Sequence, residues 1–154
     1  MIRPWKAEDG AALRPMIEDC LDVNFRAGAD MLPTDKNAAA LLALGMIRAA
    51  AGDPCLVSTS GTGRLQAYTL WVDLPNPLGL DYGSRILYGL GTYVEPALRR
   101  LGVSDQLRDA AEAMARAQGF DKIVGTVYHT AGAASCLRRG FRVTGQLVEK
   151  VLRQ

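Results

Sequence analysis

The stretch Val94-Glu95-Pro96-Ala97-Leu98-Arg99-Arg100-Leu101-Gly102-Val103-Ser104-Asp105-Gln106-Leu107 joins a run of β-formers, residues 85–94, to a run with helical periodicity, residues 102–118. Pro96 fixes the bend that takes the chain out of the strand. Gly102 has no side chain, so a ligand can approach the backbone there. Ser104 is small and adds a hydroxyl. Arg99 and Arg100 supply permanent, forked charge. A helix start leaves about four backbone N–H groups without partners and carries a partial positive charge. Together these features suit an anion of the pyrophosphate kind. The plainer alternative is a solvated arginine pair with Gly102 as a turn, and the residues alone leave both standing.

Working outward, residues 2–5 read as a short first strand. Asp9 can cap the helix that follows, whose inner face is Leu13, Met16, Ile17, Cys20 and Leu21. Pro15 must lie in its first turn or kink it. Residues 24–33 read as a loop. Thr34-Asp35 opens an alanine-rich second helix ending near Gly52-Asp53-Pro54. Strands over 55–59 and 65–72 flank Ser60-Gly61-Thr62-Gly63-Arg64. That segment lacks the Gly-Lys-Ser/Thr of a phosphate loop and no helix follows, so it reads as a hairpin turn. Residues 74–84 form a Pro/Gly loop. After the strand 85–94, the helix 102–118 buries Leu107, Ala110, Ala111, Met114 and Ala115. A strand over 123–128, a small-residue helix over 130–139 stopped by Gly140, and a last strand over 141–152 complete the chain. The order is β-α-α-β-β-β-α-β-α-β, one α/β domain spanning residues 1–154, with no internal repeat.

At 154 residues the chain can bury a proper core, and 49% apolar with 22% charged residues is an ordinary soluble composition. A net charge of +2 is too weak to argue for nucleic acid, although arginines gather at Arg99-Arg100 and Arg138-Arg139. Three scattered cysteines, Cys20, Cys55 and Cys136, fit a reduced, cytoplasmic protein. The single histidine, His129, and the lack of any Cys-x-x-Cys pair give no metal site. Met1-Ile2-Arg3-Pro4 does not read as a signal peptide, and no apolar run is long enough for a membrane span.

Val94-x-Pro96-x-x-Arg99-Arg100-x-Gly102-x-Ser104-x-x-Leu107 resembles motif A of the GCN5-related N-acetyltransferases, Arg/Gln-x-x-Gly-x-Gly/Ala after a strand ending in Val-x-Pro. Gly140-Phe141 resembles that family's closing signature, and the order of elements is similar over nearly the whole chain. The resemblance implies the acyl-CoA N-acyltransferase fold, a mixed twisted sheet flanked by helices. It also implies acetyl-CoA as co-substrate and an amine on a small molecule or peptide as acceptor. The pyrophosphate would rest on Arg99, Arg100, Leu101, Gly102, Val103 and Ser104. The pantetheine would pair with backbone near Tyr93 and Val94 as an extra strand does, in a V-shaped opening between parallel strands 85–94 and 123–128.

The departures set further expectations. Ser104 stands for the motif's last glycine and Arg100 for its second residue. Where the family often has Asn and Tyr, this chain has His129 and Cys136. Cys136 can serve as the general acid for the departing thiolate or simply fill the core. Glu95, at the strand's end, is the first candidate for the base, or a carboxylate paired with Arg99 or Arg100. His129 can act as base or contact pantetheine. The acceptor pocket is expected between the 24–33 loop, the Tyr68–Trp71 strand and the 74–84 loop, with Asp30, Asp73 and Asp81 to attract a cation. The chain ends soon after Phe141, so a homodimer through the last strand would cover an open edge. A GNAT-fold protein that binds CoA without efficient transfer, as a regulatory or structural component, is the alternative function.

Overall fold

The sequence places β-branched and aromatic residues between turns, and these strands build the centre of the molecule. The computed structural model describes residues 1–29, 31–73, 83–128 and 130–143. Five strands, β1 (Ile2–Pro4), β2 (Leu56–Thr59), β3 (Leu65–Asp73), β4 (Ile86–Val94) and β5 (Lys122–Gly125), lie side by side in chain order. The first three pairings are antiparallel and β4–β5 is parallel. Helices α1 (Gly10–Arg26) and α2 (Asp35–Ala50) precede β2; α3 (Val103–Ala117) is the β4–β5 crossover, and α4 (Thr130–Arg138) follows β5. The Ser60–Arg64 segment is the β2–β3 hairpin turn, closed by the Ser60 N–H on the Arg64 carbonyl at 2.9 Å.

The sheet separates two cores. On one face α1 buries Leu13, Met16, Ile17, Cys20 and Leu21 against Tyr68, Leu70, Val72 and Tyr93. On the other, α3 buries Leu107, Ala111 and Ala115 against Leu56, Ala67, Trp71 and Leu87. Tyr68 and Trp71 are an odd number of residues apart, so they face opposite sides of the pleat, and both rings are core. Trp5 donates from its indole to the Leu56 carbonyl at 3.0 Å and packs edge-on against Tyr68.

Two local expectations are revised. The Asp9 carboxylate does not cap α1. It accepts from the Lys6 N–H at 2.8 Å and from both ends of the Arg3 guanidinium, which holds its pKa below the usual carboxylate range. Pro15 lies beyond the first turn of α1, on an exposed face. Thr34 does cap α2, accepting from the Asn37 N–H at 3.2 Å. β5 is shorter than expected. The last strand begins at residues 141–143 with no regular structure; the rest of it, with Leu147, Val148, Val151 and Leu152, lies outside the described residues.

Candidate functional site

Along β4 the hydrogen-bonding neighbours change. Ile86 to Gly89 pair with Lys122 to Gly125 on one side, and Leu87 to Gly89 pair with β3 on the other. At Leu90 the register with β3 shifts, Leu70 facing Gly91 and Trp71 facing Gly89. The extra residue is a β-bulge, which bends a strand and increases its twist. Beyond it, pairing with β5 has ended, while pairing with β3 continues to Val94. The parallel pair, its α3 crossover and the opening beyond Gly89 are the arrangement expected from sequence. Tyr93 and Val94 lie on the unpaired length.

The loop after β4 is tightly determined. Pro96–Leu98 forms a 3-10 turn. Arg99 Nε donates back to the Val94 carbonyl at 3.0 Å, and its guanidinium lies 5.8 Å from the centre of the Tyr93 ring. Arg100 has φ 68 and Gly102 φ 79, both left-handed. Gly102 is the residue before α3, and its carbonyl accepts from Asp105 and Gln106 at 3.1 and 3.0 Å. Among the described residues no acceptor meets the N–H groups of Gly102, Val103 or Ser104. A Cβ built on Gly102 meets nothing within 4 Å, so the space above this backbone is open. Leu101 is exposed, and so are both arginines. Free N–H groups, open space and two cations fit a phosphate group.

Of the catalytic candidates, the two described residues, Glu95 and Cys136, meet different partners. Glu95 makes an ion pair with Arg64 at the start of β3, a partner from neither of the loop arginines. Cys136 is half-buried on α4, 3.8 Å from Arg108 Nη1. His129, Asp30 and Asp81 lie outside the described residues. Asp73 pairs with Arg85 at 3.0 Å. Arg139 of the second arginine cluster is likewise engaged, by Asp109, Asp105 and Glu112 of α3.

A cleft of about 360 Å³ opens between α1 and the end of β4, lined among others by Met16, Asp19, Arg64, Tyr93 and Glu95. Burial first, then the hydrogen bond to Asp19, pushes the Tyr93 hydroxyl up to about 12. Tyr68 beneath it is raised well above its ordinary value by burial, and Cys20 is raised for the same cause. Sequence reasoning missed Asp19, Arg64 and Arg108. Arg108 alone carried a local signal, because it stands one helical turn after Ser104 and therefore on the same face.

No family model matches the chain, and no curated protein matches it either. Solved structures do. A mutant of the BH1408 protein from Bacillus halodurans superposes with a TM-score of 0.79 at 17% identity, covering 99% of each chain. The aminoglycoside acetyltransferase AAC(6')-Iy, bound to a bisubstrate analogue of CoA and acetylneamine, gives 0.74 at 15% identity, over 100% of this chain and 98% of that one. A GCN5-related N-acetyltransferase from Ralstonia eutropha JMP134 gives 0.72 at 20% identity, over 98% and 97%. The chain therefore has a mixed α/β acyltransferase-type architecture. Its fold is that of the GCN5-related N-acetyltransferases.

Proposed function

We propose that this chain is an acyl-CoA-dependent N-acyltransferase that moves an acetyl group from acetyl-CoA to an amine. The observation that carries the reading is the unpaired half of β4 running into the bare N-terminus of α3. The pantetheine amides would pair near Tyr93 and Val94 on the side of β4 where β5 has ended. The pyrophosphate would lie on Arg99, Arg100, Leu101, Gly102, Val103 and Ser104. Similar structures include an acetyltransferase solved with a CoA conjugate, which supports the same use of the fold.

The reaction needs a neutral amine aligned with the thioester carbonyl. A C–N bond forms, the C–S bond breaks, the amine loses a proton and the thiolate leaves. Glu95 is the candidate for taking the proton, directly or through water, because it borders the cleft at the end of β4. Cys136 is the candidate for returning one to sulfur, and His129 the candidate for a second base or a contact to pantetheine. We also place the acceptor at the Asp19–Tyr93–Glu95 cleft, which borders the end of β4. We place the protein in the cytoplasm, supported by free, buried Cys20 and Cys55. No helix among the described residues is long and apolar enough to cross a membrane. A dimer through the C-terminal segment stays a proposal, tested by light scattering, with a clean monomer rejecting it.

Calorimetry with acetyl-CoA and CoA, followed by thiol release on a panel of amines, tests the function. Binding with acceptor-dependent thiol release is the expected result. Binding without release on any amine would instead favour a CoA-binding component, and no binding would overturn the reading.

A further inference from the structure

Behind the phosphate-facing loop, α3 and α4 meet across a seam of charges and hydroxyls. Arg108 is its centre. The side chain is only 12% exposed. Its Nη2 donates to Ser104 Oγ at 2.9 Å and its Nη1 to Ser135 Oγ at 3.1 Å, with Cys136 Sγ at 3.8 Å. Its carboxylate neighbour, Asp105, is 4.0 Å away and lies closer to Arg139, at 3.7 Å. The other acids of this seam, Asp109 and Glu112, are engaged by Arg139. Arg108 is thus a largely buried cation whose hydrogen bonds go to neutral groups, although charges held this far from water are ordinarily paired.

The bond to Ser104 also fixes what that hydroxyl can do. A serine hydroxyl has one proton and two lone pairs. Here the oxygen accepts from Arg108, so its proton is left to donate elsewhere. Among the described residues no acceptor takes it. The same turn presents the free N–H groups of Gly102, Val103 and Ser104.

We propose that Arg108 is a positioning residue of the nucleotide site: it holds Ser104 as an acceptor so that the hydroxyl proton faces the CoA pyrophosphate, and its charge complements the phosphates. The pair adds a side-chain donor to the three free N–H groups of the turn. It also links phosphate binding to α4 through Ser135. The inference rests on the acyl-CoA reading above and names the residues that make it work in this chain.

The test is calorimetry of CoA binding to the full-length chain over a range of NaCl, for wild type, Arg108→Gln, Arg108→Lys, Ser104→Ala and the Arg108→Gln/Ser104→Ala double variant. Charge-assisted bonds are the strong ones, so Arg108→Gln should weaken CoA binding about tenfold or more and flatten its salt dependence. Arg108→Lys should recover the salt dependence and part of the affinity. Ser104→Ala should weaken binding a few-fold alone and add almost nothing in the double variant, because the two groups act as a unit. A merely structural arginine would lower affinity equally at all salt concentrations and gain no salt dependence from lysine, and that pattern overturns the proposal. So does additivity in the double variant. If Arg108→Gln does not fold, Ser104→Ala decides, and unchanged affinity overturns the proposal. A wild type that binds no CoA removes the acyl-CoA reading as well. A wild type that binds CoA, with both substitutions silent, removes this inference alone.

Discussion

Between Leu87 and Gly89, strand β4 has hydrogen-bonded neighbours on both sides; between Gly91 and Val94 it has only β3. The closed half is built for packing. Leu87 is fully buried, and Gly89 lies under the Trp71 ring so closely that a Cβ would come within 2.5 Å of it. The open half is built for polar contact. Thr92 shares a hydrogen bond with Thr69 at 2.7 Å, and Tyr93 directs its hydroxyl to Asp19. A Cβ on Gly91 would meet only ordinary contacts, at 3.8 Å and beyond. Unpaired backbone in the middle of a sheet is tolerable only where water or a ligand can reach it. The contrast teaches that one strand can end a core and begin a site within two residues, with a bulge as the joint.

The contrast breaks most visibly at Gly89. Gly89→Ala forces the buried Trp71 ring to move and should destabilise the fold by about 1–3 kcal/mol, as overpacking does; a urea melt indistinguishable from wild type would show that the closed half is not tightly packed. On the far side of the joint, Gly102→Val should raise the dissociation constant for CoA at least about tenfold, the equivalent of one lost hydrogen bond to a charged group. Its Cβ meets no atom, so the cost to the fold is left-handed strain alone, roughly 1–2 kcal/mol. Unchanged CoA affinity would move the pyrophosphate elsewhere.

Alkaline titration sharpens the same comparison. Cys55, whose Sγ donates to the Trp71 carbonyl at 3.5 Å, is pushed by burial from 9.0 to about 12. Tyr93 on the open half rises from 10.0 to about 12. Both are acids whose folded pKa is raised, so the stability they contribute is complete below the unfolded value and is lost as pH climbs to the folded one. The stability gap between wild type and Cys55→Ala should therefore narrow from about pH 9 to about pH 12. The gap to Tyr93→Phe should hold until about pH 10 before it changes. Melts at stepped pH that show one common onset would contradict the assignment. The smallest effect is expected from Gly91→Ala, within about 0.5 kcal/mol of wild type by thermal melt; a large loss would mean that the open half is packed after all.

Much of this was legible in the sequence. The α1 stripe from Leu13 to Leu21, the Ser60–Arg64 turn and the strand-to-helix loop at Arg99–Ser104 follow from period, glycine and proline placement. Those signals are local, and local geometry obeys them. The pairing of distant side chains has no such period. Glu95 finds Arg64 because β3 starts beside the end of β4, and Asp19 finds Tyr93 because α1 crosses that same end; neither adjacency is written in spacing. Two acids of the expected acceptor pocket, Asp30 and Asp81, lie outside the described residues, and the third has a partner that its spacing does not announce. Asp73 read as a loop acid, yet Arg85, twelve residues on, holds it. Arg108 was within reach as an i+4 neighbour of Ser104, but its reach across to α4 was not.

Arg100 keeps a left-handed backbone, φ 68, at a position where glycine would do so without strain. Together with the Arg99 tether to Val94, this ties the bend of the loop to contacts within the chain itself. A floppy loop must be frozen at each encounter, and that loss of freedom is charged against every binding event. A bend held by the chain's own contacts lowers that loss. Under the acyl-CoA reading, variation in this loop should then register chiefly in how long a ligand stays and little in how fast it comes on.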